Sequence, residues 1–223
     1  MFMFSECQLR CQSVLLLSDT NTAVVQKLVT SLQTAGLTVD YVSGGITNYD
    51  GAPAATSYGS IVLITGNSHE INMPSSGQTA ILNAQRNSGT GVVMTEWAAN
   101  HVLHSRWSIL SPLLLAPRNG GETKIMSHTL ISRGHSIWKG LPTSFNTTVK
   151  IGYSKLGASI NATVVAHSSS ANTPAVIVRP SYGNAGRIVQ LAHAGHYSGF
   201  NYENDINLVT MMINAIKWAS KII

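Results

Sequence analysis

The chain has 223 residues, enough for one domain with a sizeable core and marginal for two. Hydrophobic residues make up 44% and charged residues 10%, which excludes a disordered chain and leaves Ser, Thr, Asn and Gln to solvate the surface. The formal charge of +5 comes from scattered Lys and Arg, with no basic run interleaved with aromatics, so no nucleic-acid groove is expected.

Residues 1–5 are apolar but far too few for a membrane span, and they lack a basic n-region and a small-residue cleavage site. No other stretch approaches about 20 continuous apolar residues, so no membrane association is expected. Cys7 and Cys11 form a C-x3-C pair with no second Cys/His pair nearby, which does not make a zinc site. They read either as two ordinary thiols in an N-terminal extension, residues 1–12, or as a disulfide in an oxidising compartment. A cytoplasmic protein is expected. The cysteine pair and the sequons at Asn146 and Asn161 leave a secreted or surface location open.

Residues 13–223 read as a single domain. Residues 13–18 (SVLLLS) form a continuous apolar run, the pattern of a strand buried on both faces. Asp19, Thr20 and Asn21 can cap the helix that follows, in which Val24, Val25, Leu28 and Leu32 recur at helical spacing before Gly36 ends it. Residues 37–42 (LTVDYV) alternate as a second strand, giving a β-α-β start with an expected right-handed crossover. Residues 43–59 read as loop with at most a helical turn. A third buried strand spans 60–65 (SIVLIT) and closes on Gly66-Asn67. A helix over 74–87, a turn at 88–91, a fourth strand over 92–95 and a helix from Ala98 to about Leu103 follow. Residues 105–117 carry two prolines and give no assignable pattern.

From Thr147 onward the pattern changes to strands at 149–153, 162–167, 175–179 and 187–193, separated by short Gly/Asn/Ser turns. Residues 182–186 read as a hairpin-like connector. The last element, 203–219, carries Ile206, Val209, Met212, Ile213, Ile216 and Trp218 and reads as an amphipathic helix that docks on the sheet. The expected architecture is α/β: a flavodoxin-like three-layer sandwich with a central, mostly parallel sheet and late antiparallel strands.

Three stretches carry a family resemblance. The first is Tyr58-Gly-Ser-Ile-Val-Leu-Ile-Thr-Gly66, a strand ending in Gly-Asn. The second is His135-Ser-Ile-Trp-Lys-Gly-Leu-Pro142 with Phe145, similar to an H-P-I-x-x-G-L-P-x-x-F segment with Ser136 in place of proline. The third is Gly186-Arg-Ile-Val-Gln-Leu-Ala-His-Ala-Gly-His196, followed by Asn214-Ala-Ile-Lys-Trp218-Ala. In order and spacing they resemble the class I glutamine amidotransferase-like superfamily, and within it the trehalose-utilisation (ThuA-like) type of domain. The resemblance covers nearly the whole chain after residue 12.

It implies a nucleophile on the tight turn after a central strand, with a His from a later strand as base and a carboxylate to orient it. In this sequence Gly91-Val-Val-Met-Thr-Glu-Trp97 occupies that strand and turn, and Thr95, Glu96 and Trp97 are its candidate positions. None is Cys, and Cys7 and Cys11 both precede the first strand. Hydrolysis of glutamine through a thioester is therefore not expected.

Glu96, His193 and His196 remain as candidate catalytic residues, brought to one sheet edge by the resembled fold. Gly66, Asn67, Trp97 and Tyr197 are candidate ligand contacts. His101 and His104 share a helix face, but such pairs are more often structural than metal ligands, and no metal is assigned. No G-x-G-x-x-G or phosphate loop occurs, so no nucleotide or other cofactor is expected. The sequence leaves two main readings. One is a non-catalytic binding or assembly domain whose partner is a small molecule, a sugar-like one among the candidates, or a protein, with homo-oligomerisation open. The other is a hydrolase or isomerase of a small sugar-like ligand through Glu96 and His193/His196, with or without a metal. An extracellular interaction module is a third.

Overall fold

In the β1 strand, Ser13–Ser18, the residues Val14, Leu15, Leu16 and Leu17 are all fully buried, because helices cover both faces of the sheet at this point. The computed structural model describes residues 6–19, 22–68, 70–168, 173–197 and 199–223. Thr20 and Asn21, expected as helix caps, lie outside the described residues, as do residues 1–5.

The α1 helix, Glu6–Gln12, runs directly into β1. Arg10 fastens it to the domain by donating to Thr56 O (2.9 Å), Ser88 O (2.7 Å) and Thr90 Oγ1 (2.8 Å). The α2 helix, Thr22–Thr34, turns Val25, Leu28, Val29 and Leu32 inward. It ends as expected at Gly36, with φ 87°, where Leu37 N–H reaches back to Leu32 O at 3.1 Å. Then come β2 (Thr38–Val42), the short α3 (Gly45–Asn48), β3 (Ser60–Ile64), α4 (Ser75–Ser88), β4 (Gly91–Met94) and α5 (Trp97–Leu103).

The second half contains β5 (Arg118–Lys124), β6 (Ser127–Leu130), β7 (Ser144–Asn146), β8 (Ile151–Leu156), β9 (Thr163–Ser168), β10 (Thr173–Arg179), β11 (Ile188–Leu191), β12 (His196–Tyr197), β13 (Phe200–Asn201) and the closing α6 (Ile206–Ala219). Residues 105–117, unassigned from sequence, hold a 3-10 turn at Ser108–Leu113 that includes Pro112.

Among the described residues, nine strands form the main sheet in the order β2-β1-β3-β4-β11-β10-β9-β6-β7. From β2 to β11 the neighbours are parallel, and from β11 to β7 they are antiparallel. This is the α/β, flavodoxin-like sandwich with late antiparallel strands. The path from β1 to β2 and the path from β3 to β4 run in opposite directions along the sheet. Right-handed crossovers therefore place α2 and α4 on opposite faces. The α6 helix lies on β3, β4 and β11 next to α2. Its amino end is held by Asp205, whose Oδ1 accepts from Asn207 N and Leu208 N, both at 3.0 Å. No helix among the described residues is long and apolar enough to cross a membrane.

Two small sheets stand apart from the main one. β12 pairs with β13, and β5 pairs with β8. The β5–β8 ribbon is only half visible in the sequence, because β5 (RNGGETK) has no apolar residue. Its residues alternate between half-buried and exposed, and the strand exists through its pairing with β8. β8 joins the ribbon to the main sheet: Ser154 N donates to Ala192 O (2.8 Å) and Ala194 N donates to Gly152 O (2.7 Å).

Candidate functional site

In an open α/β sheet the ligand crevice lies outside the carboxyl ends of the strands, where the direction of winding reverses. Here that edge is formed by Asp19 after β1, Gly66-Asn67 after β3, Glu96-Trp97 after β4 and Ala194-Gly195 after β11. These turns are tied together. Asn67 N donates to Asp19 Oδ2 (2.8 Å), Glu96 N to His193 O (2.9 Å) and Gly195 N to Thr65 O (3.1 Å).

Glu96 is the amino-terminal boundary residue of α5, with φ −42° and ψ −52°. These are ordinary helical angles, so the turn after β4 does not hold its residue in the strained geometry of a nucleophile elbow. The Glu96 side chain is buried, 2% exposed, and Oε1 accepts from Arg118 Nε at 3.0 Å. Ser154 Oγ–H donates to the same oxygen in a short hydrogen bond, and Arg118 Nε also approaches Ser154 Oγ at 3.0 Å. The guanidinium of Arg118 lies over the Trp97 ring, 5.6 Å from its centroid.

These groups open onto a pocket of about 270 Å³. Glu96, Trp97, Arg118, Glu122 and Tyr153 give it its chemistry, and Gly121 and Gly152 give it room. A Cβ at Gly121 would stand 2.5 Å from Arg118 Nη2 and displace the guanidinium. At the rim, Glu122 Oε2 meets Lys124 Nζ at 2.8 Å and its Oε1 pairs with Lys155. Hydrogen bonds from the two ammonium groups hold the Glu122 carboxyl down to about 2. Lys124 Nζ also lies 5.7 Å from the centre of the Tyr153 ring.

Of the residues expected from sequence, Glu96 and Trp97 line this pocket. Gly66 is buried and Asn67 exposed at the same sheet edge, but neither is part of the pocket wall. His193 meets Glu96 through its backbone carbonyl. Its imidazole is fully buried, packs against the Tyr202 ring (5.3 Å) and contacts Ala194 O through Nδ1 at 3.0 Å. Since a carbonyl can only accept, Nδ1 carries the proton. Burial pushes this histidine down to about 4, so it is neutral over the physiological range. His196 and Tyr197 form β12 through their backbones, and their side chains lie outside the described residues, as does that of Cys7. His101 is buried and stacked on Trp107 (4.3 Å) while His104 is exposed, so the two rings do not converge. Among the described residues, no three His, Cys, Asp or Glu side chains gather as a metal site.

Arg118, Ser154, Tyr153 and Glu122 are site residues that sequence reasoning does not find. The one signal for Arg118 is indirect: a buried carboxylate requires a cation, and a polar strand supplies it. Ser154 lies one residue beyond the strand end expected from sequence.

The described fold is shared with several solved structures. The carbohydrate deacetylase Agd3 superposes with a TM-score of 0.61 at 14% identity over 94% of this chain. This chain spans only about a third of that protein, 32% of its length. The putative GMP synthase subunit from Thermoplasma acidophilum gives 0.52 at 14% identity, covering 91% of this chain and 94% of that one. PurLQS from Thermotoga maritima gives 0.50 at 12% identity, covering 92% and 98%. At these identities the likeness is one of fold. No model of a protein family matches the chain, and no curated protein matches it in sequence.

Proposed function

We propose that this chain is a non-catalytic binding domain of amidotransferase-like, ThuA-like type that holds a small hydroxyl-rich ligand, a saccharide, in the pocket beside Glu96. The observation that carries the proposal is the state of the Glu96 carboxylate. Arg118 and Ser154 already engage it, and no imidazole among the described residues lines the pocket, which suits a fixed anchor better than a poised base. The turn that would present a nucleophile has relaxed helical angles and carries no cysteine.

What remains suits sugar recognition. Trp97 and Tyr153 offer aromatic surface to a ring's apolar face, while Arg118, Glu122 and Thr123 offer donors and acceptors to its hydroxyls. The fold likeness to a carbohydrate deacetylase agrees with a sugar ligand.

Titration with mono- and oligosaccharides, including N-acetylated ones, while following tryptophan fluorescence and product formation tests this. The expected result is saturable binding that Trp97→Ala abolishes, with the ligand recovered unchanged. Turnover that disappears in Glu96→Gln would overturn the non-catalytic reading in favour of a hydrolase or isomerase.

A further inference from the structure

A second cleft, of about 540 Å³, lies at the opposite, amino-terminal edge of the main sheet. Its walls come from the end of α4 (Gln85, Arg86), the end of β10 with its following loop (Arg179, Tyr182), and Pro112 and Asn161. Two arginines therefore face one cleft, and no acidic side chain among the described residues lines it.

Neither guanidinium is used up by the protein. Among the described residues, Arg86 and Arg179 form no ion pair. Arg179 gives one hydrogen bond, from Nη2 to Pro112 O at 3.2 Å. A guanidinium carries five N–H donors in a fixed fork, so most of the capacity of this pair finds no acceptor among the described residues. Arg179 is half-buried, and burial together with the neighbouring positive charge of Arg86 pushes its pKa down. Two like charges held together in a partly desolvated cleft repel each other, and a bound anion relieves the repulsion.

Two other cations at this edge are differently placed. Arg10 donates to Ser88 O and Thr90 Oγ1, and Arg187 donates to Trp218 O and Ile223 O. Those two tie segments together; Arg86 and Arg179 are left for a ligand. Tyr182, 91% exposed, stands on the loop beside them, where an aromatic face can cover a ring carried by that ligand.

We propose that the Arg86–Arg179 cleft binds a tetrahedral oxyanion, a phosphate or sulfate group, either free or carried as an ester on a sugar ring. The two forks clamp the oxyanion's oxygens from two sides, and Tyr182 covers the ring where one is present. This site is separate from the Glu96 pocket and does not depend on what that pocket holds.

Isothermal titration with inorganic phosphate, inorganic sulfate, a hexose 6-phosphate and the unphosphorylated hexose provides the test. Saturable binding of the anions is expected, weakened about tenfold or more by Arg86→Gln and by Arg179→Gln. Trp97→Ala, in the other pocket, should leave it unchanged. Arg86 is exposed, so Arg86→Gln keeps the experiment informative even if Arg179→Gln loosens the loop held at Pro112. A tighter hexose phosphate whose advantage over inorganic phosphate vanishes in Tyr182→Ala identifies an ester as the ligand. Equal affinities untouched by Tyr182→Ala identify the free oxyanion. No saturable binding of any anion, or binding unaltered in both arginine variants, overturns the proposal.

Discussion

Arg118 Nε stands 3.0 Å from both Glu96 Oε1 and Ser154 Oγ, so one guanidinium ties the β5–β8 ribbon to the turn after β4. The pocket wall is built by this link: Glu96 and Trp97 come from the turn after β4, and the other lining residues come from the ribbon. Glu96 is 2% exposed and the Arg118 side chain 17%, so the acid depends on the base more than the base depends on the acid.

That asymmetry predicts unequal variants. Arg118→Met removes the cation from a buried carboxylate and should cost about 3 kcal/mol of stability. Glu96→Gln keeps an acceptor for Ser154 and leaves Arg118 able to reach water, so it should cost roughly 1–2 kcal/mol. Urea denaturation of the two variants against the parent measures both. Equal losses, or a larger loss for Glu96→Gln, would contradict the assignment of Arg118 as the supporting partner.

The parallel half of the sheet is legible in the sequence because its strands are uninterrupted apolar runs. Residues 13–18 match β1 fully, and residues 60–65 match β3 to within one residue. Gly36 and the 182–186 connector are legible for the same kind of reason: each marks a backbone event that few residues permit. The strands β5, β6 and β7 are not, since RNGGETK, SHTL and SFN hold no periodic apolar signal and form through their partners. The site divides along the same line. Glu96 and Trp97 sit on a turn whose place follows from the strand before it. Arg118 and Ser154 arrive from 22 and 58 residues away, through a ribbon pairing that no local pattern announces. His193 stands at the edge its strand predicts, but the direction of its ring depends on Tyr202, which packs against it.

Asp205 should prove more than a helix cap. Besides receiving two N–H groups of α6 on Oδ1, it receives Thr148 N (2.5 Å) and Thr148 Oγ1 (3.0 Å) on Oδ2, and it is fully buried. Asp205→Ala leaves four donors unanswered and should cost about 3 kcal/mol or more. Asp205→Asn can still cap α6 but presents an amide N–H₂ to Thr148, so its loss should be intermediate. Thermal unfolding of the three proteins checks the order.

Gly186 permits a close crossing of two backbones. A Cβ there would stand 1.9 Å from Thr90 O and 2.4 Å from Thr90 C, atoms of the segment leading into β4. No side chain can rotate away to make room, so Gly186→Ala should destabilise by about 3 kcal/mol or prevent folding. Gly183→Ala, three residues earlier, meets nothing within 4 Å and departs only from a φ of 55°, at a cost of about 1 kcal/mol. Soluble yield and urea midpoints of the pair separate crowding from backbone strain.

Acid sensitivity should begin well above the carboxylate range. His128 and His193 are both fully buried. Burial, with some repulsion from His193, pushes His128 from 6.5 down to about 3. Burial pushes His193 to about 4, partly opposed by its bond to Ala194 O and by Asp205. In the unfolded chain both take up protons near 6.5; in the folded chain they do not. The unfolded state therefore binds more protons below that pH, and stability, full above 6.5, falls as the pH drops toward 4. Each histidine contributes a slope of about 1.4 kcal/mol per pH unit. The Glu122 carboxyl, held down to about 2 by Lys124 and Lys155, adds its own loss only below about 4.5, so the window from 6.5 to 4.5 belongs to the histidines. His128 stacks on Phe145 at 4.8 Å and, among the described residues, makes no hydrogen bond, so His128→Phe replaces a ring with a ring. Burial also lowers His135, so unfolding free energies measured across pH 7 to 4.5 should show a slope reduced by about 1.4 kcal/mol per pH unit in that variant, not abolished; an unchanged slope would remove His128 from the account.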